Sequence, residues 1–306
     1  MRQPIWHFDE TSPDRLINDD IVFSARVAPP MTGLGLLQLI PDAEIIANSD
    51  ANDQNQDGIS GRTNVVWSQL EQSTAIGRFG WKASIANLTE QVAAAFNQDM
   101  GLTSRLQPQE SCTYQQADCM ASASGTGDSA NDQDFEVAND ILEAVAFHNH
   151  HVGVPARLNA GADAVLNGKQ LFEQIGCVSC HRASYVTENN PEHPELSNQT
   201  IFPYTDLLLH DMGPDLADFS RHNGPAPVDA LTDFSATSHE WRTPPLWGIG
   251  RAKQVNPDAN FLHDGRARTI MEAILWHGGE AESAKQEVLK LNAKQREDLM
   301  AFLNDL

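Results

Sequence analysis

Cys177-Val178-Ser179-Cys180-His181 is the stretch on which the reading of this chain turns. Two thiols at this spacing followed at once by an imidazole are the attachment signature of a covalent c-type haem: each sulfur adds to a haem vinyl group, and the histidine is carried beneath the porphyrin as proximal iron ligand. A zinc knuckle would need further Cys or His ligands at knuckle spacing, and no second CxxC exists. A redox dithiol would need a βαβ context, whereas the surrounding sequence reads as helix and loop.

Leu166, Lys169-Gln170-Leu171-Phe172 and Ile175 form an apolar stripe at helical spacing upstream, with Gly176 as its stop signal. At the C-terminus, Asn292 with Gln295 predicts a capping box, and Leu299, Phe302, Leu303 and Leu306 share one face of the helix that follows. A helix entering CxxCH and a terminal helix crossing it are the frame of a cytochrome c domain. The expected fold is mainly α, with a cytochrome c-like haem domain over residues 158–306. Residues 1–157 are expected to form a loop-rich remnant of a second such domain, with Pro155 to Gly161 as linker.

The 306 residues carry a formal net charge of −22, which argues against nucleic acid and against an anionic membrane surface. No apolar run is long enough to span a bilayer, and the opening Met1-Arg2-Gln3-Pro4-Ile5-Trp6 has no signal-peptide core. Covalent haem nonetheless implies export to the periplasm or beyond. If the haem takes one cysteine pair, Cys112 and Cys119 are left to each other, and a local disulfide suits an oxidising compartment. Ser122 to Asp134 reads as a surface loop, and Phe135 to Phe147 as a helix.

Asp53-Gln54-Asn55-Gln56-Asp57-Gly58-Ile59-Ser60 places oxygen side chains at alternate positions ahead of a turn glycine, as in the first half of an EF-hand-type calcium loop. Asp53, Asn55, Asp57 and the Ile59 carbonyl are the candidate ligands, and the twelfth position is Asn64 rather than a bidentate Glu. An Asp/Asn-rich turn without metal is the alternative. For the sixth position on the haem iron, the residues offer Met212, His277, His263 and His210. An internal repeat bears on that choice: Phe79-Gly80-Trp81 with Leu88 and Glu90 parallels Phe261-Leu262-His263 with Ile270 and Glu272, and the position matching His277 is Ala95, which cannot bind iron.

Ile76 to Ala83, Pro203 to Gly213, Glu240 to Gly250 and Phe261 to Ala267 resemble the di-haem oxidoreductase family, also labelled thiol oxidoreductase and related to bacterial di-haem cytochrome c peroxidases. The resemblance runs from Val27-Ala28-Pro29-Pro30 to Leu306. It implies His181/His277 coordination, with Met212 as alternative ligand, and places Arg242, His263 and Arg266 near the haem or its propionates. Trp81 resembles the tryptophan between the two haems of the relatives, and Asp99 falls near their catalytic acid. The family's first CxxCH should precede Val27 and is absent: either the chain is N-terminally truncated, with one haem c here and a second in the parent protein, which is the favoured reading, or this version has lost the first haem. A small cytochrome or cupredoxin-like donor and a peroxide substrate are the implied partners. A non-catalytic electron-transfer cytochrome is the rival reading.

Overall fold

The computed structural model describes Ile5 and residues 22–112, 116–127, 134–220 and 224–306. The rest of the opening segment, the middle of the Cys112–Cys119 loop and the centre of the Ser122–Asp134 loop lie outside these residues. In chain order, strand β1 (Val22–Phe23) precedes helices α1 (Leu34–Gln38) and α2 (Asp42–Asn48). The hairpin of β2 (Val65–Ser68) and β3 (Ser73–Ile76) leads to α3 (Leu88–Met100), α4 (Ala117–Ala121) and α5 (Asn139–His150). Helix α6 (Asp163–Gln174) enters the CxxCH turn. Then come β4 (Tyr185–Val186), β5 (Thr200–Ile201), β6 (Leu209–Asp211), β7 (Phe219–Ser220), β8 (Glu240–Arg242), α7 (Ala252–Val255), α8 (Ile270–Trp276), α9 (Glu282–Lys290) and α10 (Ala293–Asp305).

The strands among the described residues pair antiparallel as two-stranded ribbons, β1 with β7, β2 with β3, β4 with β5 and β6 with β8. Helices therefore carry the packing, and the ribbons pin loops between them. Residues from both sides of position 157 share one core: Leu37, Ile40, Ile45, Phe79 and Leu88 pack with Tyr185, Ile201, Leu207, Leu208 and Trp247. No helix among the described residues is long and apolar enough to cross a membrane.

The crossing of α6 and α10 builds the core around the CxxCH turn. Val165, Phe172, Leu299, Phe302, Leu303 and Leu306 are buried there, with Cys177 and Val178 packed against them. The capping box of α10 is present, with Asn292 accepting from Gln295 N and Gln295 from Asn292 N. Leu166, expected on the inward stripe, is 48% exposed. The rest of the stripe faces in, with Phe172 buried and Leu171 and Ile175 packed against the core. Val165 and Gly168 are buried beside them, and the helices meet at Gly168, where a Cβ would lie 1.9 Å from the Asp298 carbonyl oxygen. Backbone contact at that point rotates the helix so that Leu166 faces out.

The internal repeat is a repeat of backbone as well as sequence. Phe79 bridges Ile85, and Phe261 bridges Ala267. Equivalent positions take positive φ, Gly80 and Leu262 at 75° and 71°, Ala83 and Gly265 at 49° and 71°. Each copy then starts its helix with a side-chain cap, Asn87 accepting from Glu90 N and Thr269 from Glu272 N. The copies diverge afterwards: α3 runs on to Met100, while α8 stops at Trp276 and leaves His277 as its C-cap.

Candidate haem site

Helix α6 ends at Gln174, and Gly176 at φ 88° turns the chain into a tight 3-10 turn over Cys177–Ser179. The His181 amide closes this turn by donating to Cys177 O at 2.9 Å. Burial pushes the Cys177 thiol up to about 12, and Cys180 upward too. A redox dithiol requires the opposite, a stabilised thiolate. Both cysteines are free of disulfide bonds, while Cys112 and Cys119 are bonded to each other, Cα to Cα 5.8 Å.

His181 Nδ1 lies 2.9 Å from Tyr204 O, and His277 Nδ1 lies 2.8 Å from Ala273 O. Each carbonyl takes the Nδ1 proton, fixing the neutral tautomer with its lone pair on Nε2. Burial lowers His181 to about 4, and His277 stands close enough to push it in the same direction. Burial also lowers His277, with the Lys285 cation adding to the effect. Two desolvated, oriented imidazoles near each other and next to a CxxC pair are a donor set that suits a six-coordinate haem iron.

Arg242 is buried, and its guanidinium donates only to carbonyls, Gly80 O at 2.8 Å and Thr243 O at 3.1 Å. Among the described residues it has no carboxylate in ion-pair contact, and burial lowers it to about 10. An anionic haem propionate would complete it. Arg266 differs: its charge is paired with Asp264 at 2.8 Å, with Nη2 left unpartnered. Met212 packs with Leu216, Ala267, Ala273 and Trp276.

His210, one of the candidate iron ligands, has both ring nitrogens committed. Nε2 faces Asp206 at 2.9 Å and Nδ1 faces Glu280 at 2.7 Å, with Cys180 Sγ 3.7 Å away. Burial opposes the cation, yet the bonds to Asp206, Cys180 and Glu280 prevail and hold its pKa well above the usual histidine range. Glu280 also accepts from Ser60 Oγ at 2.8 Å, tying the first half of the chain to this cluster. Glu280 and Ser60 carry no local signal that sequence reading could have used, since their role comes from a contact 220 residues apart.

Trp81 and His263, equivalent in the repeat, meet edge to face at 6.4 Å between ring centroids. Val27 ties them: its carbonyl accepts from Trp81 Nε1 at 2.7 Å and its amide donates to His263 O at 2.7 Å. His263 stacks on Trp241 at 3.5 Å, and the Lys82 ammonium lies 3.5 Å from the Trp241 ring centre. Lys82 is 1% exposed, bonded to the carbonyls of Thr237 and Glu240 and paired with Asp218 at 3.2 Å. Its motif position beside Trp81 was legible; its burial was not.

Asp99 is exposed on the last turn of α3, away from any described ion pair. In the acidic loop, Asp53 accepts from Gly58 N at 3.2 Å and Asp57 from Ile59 N at 2.9 Å, while Asp50, unforeseen, accepts from Gln54 N and Asn55 N. Asn64 is turned into the core, donating to Lys82 O and Asp233 O and accepting from Ser235, so it is not a twelfth ligand.

No curated protein matches the chain. A solved structure of hydrazine synthase from Kuenenia stuttgartiensis, pressurised with xenon, is similar at 20% identity and TM-score 0.34, covering 57% of this chain. The match spans 58% of that chain's length. The family described as "Di-haem oxidoreductase, putative peroxidase" matches residues 7–306, and this chain belongs to that family.

Proposed function

We propose that this chain carries one covalent haem c between His181 and His277 and serves as the electron-storing, electron-relaying part of an exported, peroxidase-type di-haem oxidoreductase. The observation that carries this reading is the pair of imidazoles with Nδ1 tethered to Tyr204 O and Ala273 O beside Cys177 and Cys180. Bound haem supplies a one-electron iron couple that side chains lack. Cys177 and Cys180 would hold the macrocycle through thioether bonds, and the two carbonyls keep each Nε2 lone pair available. Arg242 would balance a propionate, and the crossing of α6 with α10 backs Cys177 and Val178 with apolar side chains. Trp81 is the residue through which the two haem-type halves are electronically coupled. A small cytochrome or cupredoxin-like donor with a basic face complements the charge of −22.

The loop Asp53, Asn55, Asp57 and Ile59 is proposed to take calcium, its affinity limited by the loss of Asn64 to the core. Isothermal titration with calcium should show weak binding lost in Asp57→Ala. Asp99, exposed and unpaired in the described structure, favours the narrower reading that this chain transfers electrons without itself cleaving peroxide.

The test is the spectrum of the protein matured with haem. A low-spin six-coordinate haem without the near-infrared band of a methionine–iron bond is expected, and His277→Ala should convert it to five-coordinate or high-spin form. A methionine–iron band that disappears in Met212→Ala would replace His277 with Met212.

A further inference from the structure

Apart from the haem site, the end of α5 and the loop before β5 bring His151, His193 and Glu195 together, one ligand atom of each lying within 4.8 Å of the others. His151 Nδ1 is 2.7 Å from Phe147 O, and that carbonyl takes the Nδ1 proton in the neutral ring. The Nε2 lone pair then faces Glu195 Oε1 at 2.6 Å. A lone pair and a carboxylate oxygen so close repel unless a cation lies between them.

His193 Nδ1 approaches the same Glu195 oxygen at 3.7 Å, is buried and has no hydrogen-bond partner among the described residues. His150, only 7% exposed, stacks on the His193 ring at 4.4 Å between centroids and fixes its plane. Its Nδ1 is held by Ala146 O at 2.8 Å, and its Nε2 is buried without a partner. Unpartnered buried imidazole nitrogens are rare because each forfeits a hydrogen bond to water. The loop is built rather than slack: Ser197 Oγ donates to Asn190 O and His193 O, each at 3.1 Å.

We propose that His151 Nε2, His193 Nδ1 and the Glu195 carboxylate form a zinc site with its fourth position open to solvent. Two imidazoles and a carboxylate are a borderline donor set that suits Zn²⁺ and disfavours Ca²⁺ or Mg²⁺, which take oxygen. Tetrahedral zinc with bonds of roughly 2.0–2.1 Å needs ligand atoms about 3.4 Å apart. The 3.7 Å separation nearly meets this already, and the 2.6 Å contact opens by rotating Glu195, whose side chain is 49% exposed.

The test uses the haem-loaded, disulfide-intact protein, so that the haem ligands cannot take the probe. After chelator dialysis it is titrated with zinc sulfate by calorimetry, and the zinc complex is measured by X-ray absorption at the zinc edge. One equivalent should bind, with two imidazoles and oxygen at about 2.0–2.1 Å. His151→Ala and Glu195→Gln, both at accessible positions, should each weaken binding at least about tenfold with an unchanged circular dichroism spectrum. Asp57→Asn should leave it unchanged, which separates this site from the acidic loop. Absence of zinc binding, imidazole-free absorption data, or affinity untouched by both His151→Ala and Glu195→Gln would overturn the proposal.

Discussion

Trp81 and His263 stand at equivalent positions of the two repeat copies and touch each other, edge to face, 6.4 Å between ring centres. Val27 bonds both, so the copies meet around a local pseudo-symmetric junction. The two copies share the hairpin backbone and differ at the point of contact, an indole in one and an imidazole in the other.

This junction yields a prediction that separates packing from electron relay. Trp81→Phe keeps an aromatic ring and loses the bond to Val27 O, which should cost about 0.5–1.5 kcal/mol in denaturant unfolding. If Trp81 couples the two halves, electron delivery in the intact oxidoreductase should slow by far more than that stability change explains. Stopped-flow reduction at equal folded fraction is the measurement.

Gly168 sets the distance between α6 and α10. A Cβ there would meet Asp298 O at 1.9 Å and Phe302 Cβ at 2.7 Å. Gly168→Val should force the helices apart and cost about 3 kcal/mol or more, beyond the usual range for overpacking because backbone is the obstacle. Thermal unfolding of the haem-loaded protein tests this, and the haem spectrum should broaden as the CxxCH turn loosens.

His210 between Asp206 and Glu280 makes stability depend on pH. Its folded pKa stands well above the free value of 6.5, so its contribution is complete below 6.5 and is lost as pH rises through the folded value. Glu280 is lowered from 4.5, burial opposing and the His210 bond prevailing, so its contribution is lost as pH falls below 4.5. His210→Asn should destabilise by about 3–5 kcal/mol near pH 6, because it leaves buried carboxylates without their cation. The difference from wild type should shrink on going to alkaline pH, as followed by urea unfolding at several pH values.

Among the described residues, Arg242 is a buried cation answered only by carbonyl oxygens. Arg242→Gln should lower the haem reduction potential, since removing a positive charge from a dry site favours the oxidised iron. Potentiometric titration measures it. An unchanged potential would place the propionates elsewhere.

Much of the site was legible because its chemistry is local. The spacing of Cys177, Cys180 and His181 holds within one turn of chain, the Asn292 capping box within one turn of helix, and the repeat within short hairpins. Leu166 alone departs from the apolar stripe, because periodicity counts apolar side chains and cannot see that a glycine, Gly168, brings two backbones into contact. Asn64 misled for a related reason: its loop position suggested a ligand, but its amide is used by Lys82, Asp233 and Ser235.

By itself the sequence determined the CxxCH motif, the helices on either side of it and the family, all written in short-range patterns. Which imidazoles keep a free nitrogen was decided only by tertiary structure. His210 lost both of its nitrogens to carboxylates four and 70 residues away, whereas His181 and His277 are each held by one carbonyl. The convergence of His151 with His193 and Glu195 has the same origin. Ligand availability depends on what the rest of the chain brings within hydrogen-bond reach, and that distance is not encoded in any local spacing.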